Sequence, residues 1–160
     1  MNMKDSQAAF ERFLDILDQV MAKMASMHSP TRDFGTGVPL YRTEIHTVQA
    51  IGENPGINVT GLAKHMGVTK GAVSQTISKL ARKGLVRKTY AEDNAKEILL
   101  ELSDVGWTGF RTHEQFHMEM FDTVRECFGD NVKPRLEMLT KAMTDLNGIL
   151  ARYEQGRKGK

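Results

Sequence analysis

A single cysteine, Cys127, occurs in the 160 residues, so no intrachain disulfide can form and no cysteine-rich zinc finger can be built. The fold must be held by packing. Long apolar runs are also missing: none reaches the ~18 residues that a membrane-spanning helix needs. The opening MNMKDSQAAFERF carries charge within a helical pattern and lacks the apolar block and small-residue cleavage site of a secretory signal. The expectation is therefore a cytoplasmic protein with no membrane partner. Acidic residues are absent from one long stretch. Between Asn54 and Ala91 there is no Asp or Glu, while Lys64, Lys70, Lys79, Arg82, Lys83, Arg87 and Lys88 give that stretch +7. With a net charge of only +2 for the whole chain, the remainder must be acidic. Such segregation is an electrostatic footprint for phosphate.

What is present is the composition of a globular protein, 40% hydrophobic and 26% charged. The length allows one substantial core, or a small domain extended by helices that need a partner. From Asp5 to Met27, Phe10, Phe13, Leu14, Leu17, Val20, Met21 and Met24 recur at spacings of three and four, the mark of an amphipathic helix. Ser29 to Leu40, with Pro30, Gly35, Gly37 and Pro39, reads as a loop. A second helix is predicted from Arg42 or Thr43 to Glu53.

Two short helical patterns follow in NVTGLAKHMGVTKGAVSQTISKLARKGLV. Thr60 is the expected cap of the first, Leu62, Ala63 and Met66 its core side, and Gly67 its left-handed end. Thr69 is the expected cap of the second. There Val73, Ile77 and Leu80 face inward, leaving Lys70, Ser74, Gln75, Ser78, Lys79 and Arg82 on the other faces, before Gly84 ends the helix. Leu85–Tyr90 and Lys96–Leu102 read as strands joined by a turn at AEDNA, with Ile98, Leu100 and Leu102 on one side. A long helix should start at Ser103, favoured by Asp104 in its first turn, and run to Phe128. After Gly129-Asp130-Asn131, Pro134 suits the start of a last helix. In it Leu136, Leu139, Met143, Leu146, Leu150 and Tyr153 form a heptad seam. The organisation is then an N-terminal helix and loop over 1–40, a winged helix-turn-helix over 41–103, helices over 104–155 and a disordered tail over 156–160.

The run VTGLAKHMGVTKGAVSQTISKLARKGLVRK, followed by Asp93 in the hairpin and LSDVG after it, resembles the MarR family, and the flanking helices extend the likeness over most of the chain. The resemblance implies a mainly α fold with a two-stranded wing, dimerisation through the first and last two helices, and a transcriptional regulator acting on double-stranded DNA. The simplest role is repression as a homodimer on a near-palindromic operator, with half-sites about 34 Å apart. The apolar stripes of three helices, too many for a ~65-residue domain to cover, agree with a dimer.

Side chains near the start of a recognition helix reach base edges. Ser74 and Gln75 are expected there, Gln75 through bidentate pairing with adenine. Thr69, Lys70, Lys79 and Lys88 suit phosphates, which fix register, and Ser78 completes the face. The family's wing usually carries Arg two residues after the Asp. Ala95 stands there instead, followed by Lys96, so Lys88 or Lys96 is the expected electrostatic substitute.

His113 and His117 share a helical face at a usable metal-ligand spacing, with lone surface histidines as the plain alternative. Zinc-sensing members of the family join a His early in the second helix to two on the helix after the wing, which looks like His46, His113 and His117. TEIHTVQAIG and HEQFHMEM also resemble the family's fatty-acid-synthesis repressors, whose effector is an acylated carrier protein. No cofactor is expected to be required; the effector is zinc or a small hydrophobic or acyl group, held at those three histidines. Cys127 is expected to be a buried, inert thiol, although the family includes peroxide sensors. The ten methionines are expected to fill the core rather than an effector pocket. Two other functions have handles here. HEQFH satisfies H-E-x-x-H and would suit a metal-dependent hydrolase, which also needs a cleft and a third ligand. A winged helix used for protein association would leave the acid-free basic stretch without a purpose.

Overall fold

The computed structural model describes residues 3–27, 31–91 and 94–158, which fall into two units, Met1–His113 and Glu114–Lys160. In the first unit, helix α1 covers Met3–Met27. Its stripe enters no core of the single chain: Phe10, Phe13, Leu14, Val20, Met21 and Met24 are all exposed. The expected loop holds a short antiparallel ribbon, β1 (Thr31–Arg32) against β2 (Leu40–Tyr41). Two residues a side are too few for alternation to be visible in sequence. Between them Asp33 Oδ1 accepts from the backbone N–H of Thr36 at 2.8 Å and of Gly37 at 3.2 Å, a side-chain-closed turn in the loop that carries Phe34 into the core.

Helix α2 (Arg42–Glu53) buries Ile45, Val48 and Ile51 on one side. Helix α3 (Val59–Met66) is capped by Asn58, not by the expected Thr60: Asn58 Oδ1 accepts from the Gly61 N–H at 2.8 Å. The helix starts early because the preceding residues are held extended. Leu100 donates its N–H to Ile57 O at 3.0 Å, and Asn58 bridges to Leu99. Gly67 ends α3 in left-handed backbone, φ 66°, as expected.

Helix α4 (Lys70–Arg82) is capped by Thr69, whose hydroxyl oxygen accepts from the Ala72 N–H at 3.2 Å. Val73, Ile77 and Leu80 are buried, as the spacing predicts. At its end Gly84, φ 76°, allows Leu85 N–H to reach Leu80 O at 2.9 Å and its own N–H to reach Ala81 O at 3.0 Å. This double bond is a Schellman stop, sealed by contact between two buried leucines at its ends, Leu80 and Leu85.

Strands β3 (Val86–Ala91) and β4 (Asn94–Leu102) pair antiparallel from Val86↔Leu102 to Tyr90↔Ile98. Leu100 and Leu102 are buried, whereas Ile98 on the same side is 37% exposed, so the hairpin runs past the edge of the core. Glu92 and Asp93, in the expected turn, lie outside the described residues. Helix α5 (Asp104–Phe128) follows, with Ser103 at its head. The Ser103 hydroxyl donates to Gly84 O at 2.6 Å and accepts from the Gly106 N–H at 3.0 Å.

The second unit contains the rest of α5, a 3-10 turn at Gly129–Asn131 and helix α6 (Val132–Lys158). Pro134 sits in the first turn of α6. The helix continues to Lys158, so residues 156–158 are not the disordered tail expected; Glu154, Gln155 and Arg157 favour helix. Along the heptad seam Leu139, Met143, Leu150 and Tyr153 are exposed and Leu136 and Leu146 half-buried. An apolar groove within this unit is lined by Phe121, Val132, Leu136 and the stems of Lys133 and Lys141. The architecture is mainly α with a two-stranded wing.

The closest internal approach is at Gly106, where a Cβ would collide with the Leu85 carbonyl oxygen and stand 3.2 Å from Leu102 Cβ. Both neighbours are backbone or buried, so neither can yield cheaply. Gly106→Ala should therefore destabilise the fold by about 1–3 kcal/mol, read as a lower urea midpoint. Gly71→Ala, where the nearest atom to a Cβ is 4.0 Å away, should be neutral or stabilising by up to ~1 kcal/mol.

Candidate nucleic-acid interface

The inward side of α4 is fully used by Val73, Ile77 and Leu80, which leaves its opposite side to solvent. Ser74, Gln75, Ser78, Lys79 and Arg82 line one shallow groove along that side. Among the described residues, none makes a hydrogen bond to the side chain of Ser74 or Gln75, so their polar groups are available to an incoming partner. Ser78 Oγ donates to Ser74 O at 2.8 Å, which leaves its oxygen as an acceptor. Thr69 and Lys70 stand at the positive end of the helix, whose first turn contains no acid. Free N–H groups and a cation there suit a phosphate.

All the cations expected on this face are exposed: Lys70, Lys79 and, on the wing, Lys88. On β3, Lys88 stands opposite Leu100, whereas Arg87 stands opposite Glu101. Lys88 thus shares a face with Tyr90 and Ile98, both exposed beyond the core, and no carboxylate opposes it across the hairpin. The side chain of Lys96 lies outside the described residues. Arg82 is the residue that sequence reading left off the site. It lines the groove beside Ser78 and Lys79, and it also lines a second recess with Tyr41, Glu44, Lys79 and Lys83. Its helical spacing from Gln75 and Ser78, seven and four residues, is the signal that places it there.

Lys83, also in the acid-free stretch, has its head turned inward. Its Nζ lies 2.7 Å from Glu44 Oε2 and donates to Pro39 O at 2.8 Å. Glu44 is buried at 2% exposure, and the same Oε2 accepts the Tyr41 N–H at 2.8 Å, closing the start of α2.

The histidines are brought together only in part. His46 on α2 and His113 on α5 meet with their rings tilted by 56° and their centroids 5.3 Å apart, and Phe34 meets His113 edge-on at 5.5 Å. His113 is 2% exposed, so it is a core residue rather than a surface histidine. His117 belongs to the second unit, where its ring packs at 6.1 Å from Phe116. Among the described residues no three or more His, Cys, Asp or Glu side chains gather in a set that would hold a metal ion. The H-E-x-x-H reading loses its first ligand to the core in the same way. Cys127 is exposed, contrary to the buried thiol expected. The methionines likewise do not fill the core: Met21, Met24, Met118, Met120, Met138 and Met143 are exposed, and Met66 packs at its margin. Among the described residues no helix is long and apolar enough to cross a membrane.

Residues 40–98 match the model of the MarR family, a span that runs from β2 through the helix-turn-helix to the wing. The chain is 34% identical over 87 residues to the uncharacterized HTH-type transcriptional regulator YhjH of Bacillus subtilis (strain 168), which covers 54% of this chain and 50% of that protein. It thus spans about half the length of the curated relatives it matches. Over nearly the whole chain the fold is similar to that of Streptococcus pneumoniae FabT in complex with DNA, with a TM-score of 0.65, 23% identity and coverage of 91% of this chain and 96% of that one. It is also similar to the adhesin competence repressor AdcR of Streptococcus pyogenes, with a TM-score of 0.66, 20% identity and coverage of 88% and 96%. Residues 40–98, the winged helix-turn-helix segment, are thus similar to the MarR family.

Proposed function

We propose that the protein is a homodimeric, sequence-specific DNA-binding transcriptional regulator, a repressor that occupies a near-palindromic operator and responds to an effector. The observation that carries this reading is the outer face of α4, where Ser74, Gln75 and Ser78 line one groove with Lys79 and Arg82 in a stretch without one carboxylate. Polar groups able to read base edges are flanked by cations able to hold phosphate, on a helix narrow enough for the major groove. Lys88 on the wing adds a cation beside the duplex. The similarity to FabT, solved with DNA bound, supports the same docking. Neither catalysis nor a protein-only winged helix would need this arrangement of charge.

Two subunits that each neutralise a few phosphates should lose ~10³-fold or more in affinity between about 50 and 200 mM salt. In a filter-binding titration Gln75→Ala should relax base preference at a cost of ~1–3 kcal/mol, and Lys79→Ala should weaken all sequences alike. A flat salt response, or equal losses on operator and random DNA for Gln75→Ala, would contradict the assignment.

The exposed stripes of α1 and α6 support the dimer. Apolar surface of this extent on a soluble chain marks an interface. The intact protein should sediment as a dimer at micromolar concentration, and Leu139→Asp with Leu146→Asp should produce monomers that lose tight operator binding, because one half-site no longer assists the other. A stable wild-type monomer would refute this.

The effector is proposed to act at His46, His113 and His117, as zinc or as an acyl or other hydrophobic group. Support comes from the approach of His46 on α2 to His113 on α5, since a ligand there with unequal affinity for two states could shift the protein between them. Calorimetry with zinc should give binding to the wild type that His113→Ala/His117→Ala abolishes. No heat in the wild type eliminates zinc, and an unchanged effector response of the operator complex in the double variant eliminates the site.

A further inference from the structure

Of the seven cations in the acid-free stretch, Lys83 is held inside the fold. It caps the C-terminal end of α4, where a positive charge meets the negative end of the helix dipole. Its ammonium pairs with Glu44 at 2.7 Å, donates to Pro39 O at 2.8 Å and stands 5.7 Å over the Tyr41 ring. A single group thus joins the last turn of α4 to the first turn of α2 and to the segment ahead of β2. The Glu44 side chain is only 3% exposed and that of Lys83 26%. A carboxylate so buried requires a paired, hydrogen-bonded cation. Lys79 and Arg82 line the same recess and are exposed on its outer side.

Beyond this link and the hydrogen bonds that tie Gly84 and Leu85 to Ser103, the hold along α4 is apolar. Val73, Ile77 and Leu80 bury its inner face, and apolar burial is non-directional, so it resists separation better than small rotations. A charged, three-partner link is directional. Lys83 lies nine positions from Ser74, ~13 Å along the helix axis. A pivot of ~5° at the link would therefore move the base-reading side chains by ~1 Å, as much as separates a good hydrogen bond from none.

Building on the DNA-binding reading above, we propose that Lys83 is a positioning residue for sequence readout. It touches no phosphate; through Glu44 and Pro39 it fixes the orientation of α4 on which the base contacts of Ser74 and Gln75 depend. Discrimination between sequences, rather than affinity for DNA as such, is what it supplies.

The test compares binding of the full chain to a duplex selected from a random library by the wild type and to a scrambled duplex of equal length, across a range of salt. Glu44→Gln keeps every cation and nearly the same shape. It should lower affinity for the selected duplex about tenfold, the worth of one good base contact, while affinity for the scrambled duplex holds or rises. Lys83→Gln should lose discrimination to a similar degree with its salt slope unchanged, and the double variant should be no worse than either single one, as coupled partners require. If Lys83 instead binds phosphate, Lys83→Gln weakens both duplexes alike and flattens the salt slope by about one unit per subunit, and Glu44→Gln strengthens both. Either result overturns the inference. Should Lys83→Gln fail to fold, Glu44→Gln alone decides, because the two readings give it opposite signs on the selected duplex. A wild type without sequence preference would remove the DNA-reading function itself, whereas a selective wild type with equally selective variants would remove only the role of Lys83.

Discussion

The junction at Gly84 and Leu85 is the point on which the rest of the DNA-binding unit depends. Three elements take their direction from two consecutive residues. Gly84 accepts the left-handed turn that stops α4, and its carbonyl accepts the Ser103 hydroxyl. The Leu85 carbonyl accepts the Ser103 N–H at 2.9 Å and lies against Gly106, where no side chain fits. The end of the recognition helix, the root of the wing and the head of α5 are therefore tied by backbone and one hydroxyl, with the fully buried Leu80 and Leu85 beneath. The end of α4, the first residues of β3 and the head of α5 are thereby held to one another by directional hydrogen bonds.

Seen from this junction, the cations of the acid-free stretch divide by what lies next to them. Lys79 and Arg82 project from the side of α4 opposite its apolar face, where they line a groove with Ser74, Gln75 and Ser78. Arg87 faces Glu101 across the hairpin and Lys88 faces Leu100, so the wing's unopposed cation is the one that shares a face with the exposed Tyr90 and Ile98. Lys83 is committed to Glu44. Counting charge along the chain treats these residues as equal, whereas their neighbours separate exposed, unopposed cations from one held in a buried ion pair.

That division also explains what could be read from residues alone. The helix-turn-helix was legible because each of its decisions is local: Thr69 caps its own helix through the N–H three residues on, Gly67 and Gly84 supply left-handed backbone, and Val73, Ile77 and Leu80 keep a helical period. Asn58 was misjudged in favour of Thr60 because its choice depends on Leu99 and Leu100, some forty residues away, holding the chain extended. The β1–β2 ribbon was invisible for want of length. Lys83 looked like another surface cation, since its partner lies thirty-nine positions earlier, and the burial of His113 depends on Phe34 and His46, both distant in sequence. In each failure the deciding contact is non-local.

The apolar stripes have the opposite character: easy to see and impossible to assign from periodicity. In Phe34–Leu102 and the head of α5 the apolar residues of each helix close a core. In α1 and α6 the same spacing leaves Phe10, Phe13, Leu139 and Tyr153 exposed. A helical period reports only that one face avoids water, not which surface covers it. The difference lies in connection length. Helices α2, α3 and α4 are joined by short segments with Gly or Asn at their ends, so their faces converge on one another. Helices α1 and α6 are each of 25 residues or more, about 37 Å or longer at the standard rise, and extend past any core that a unit of this size can supply. Periodicity alone therefore leaves their covering unassigned, whereas the apolar residues of α2, α3 and α4 find theirs in one another.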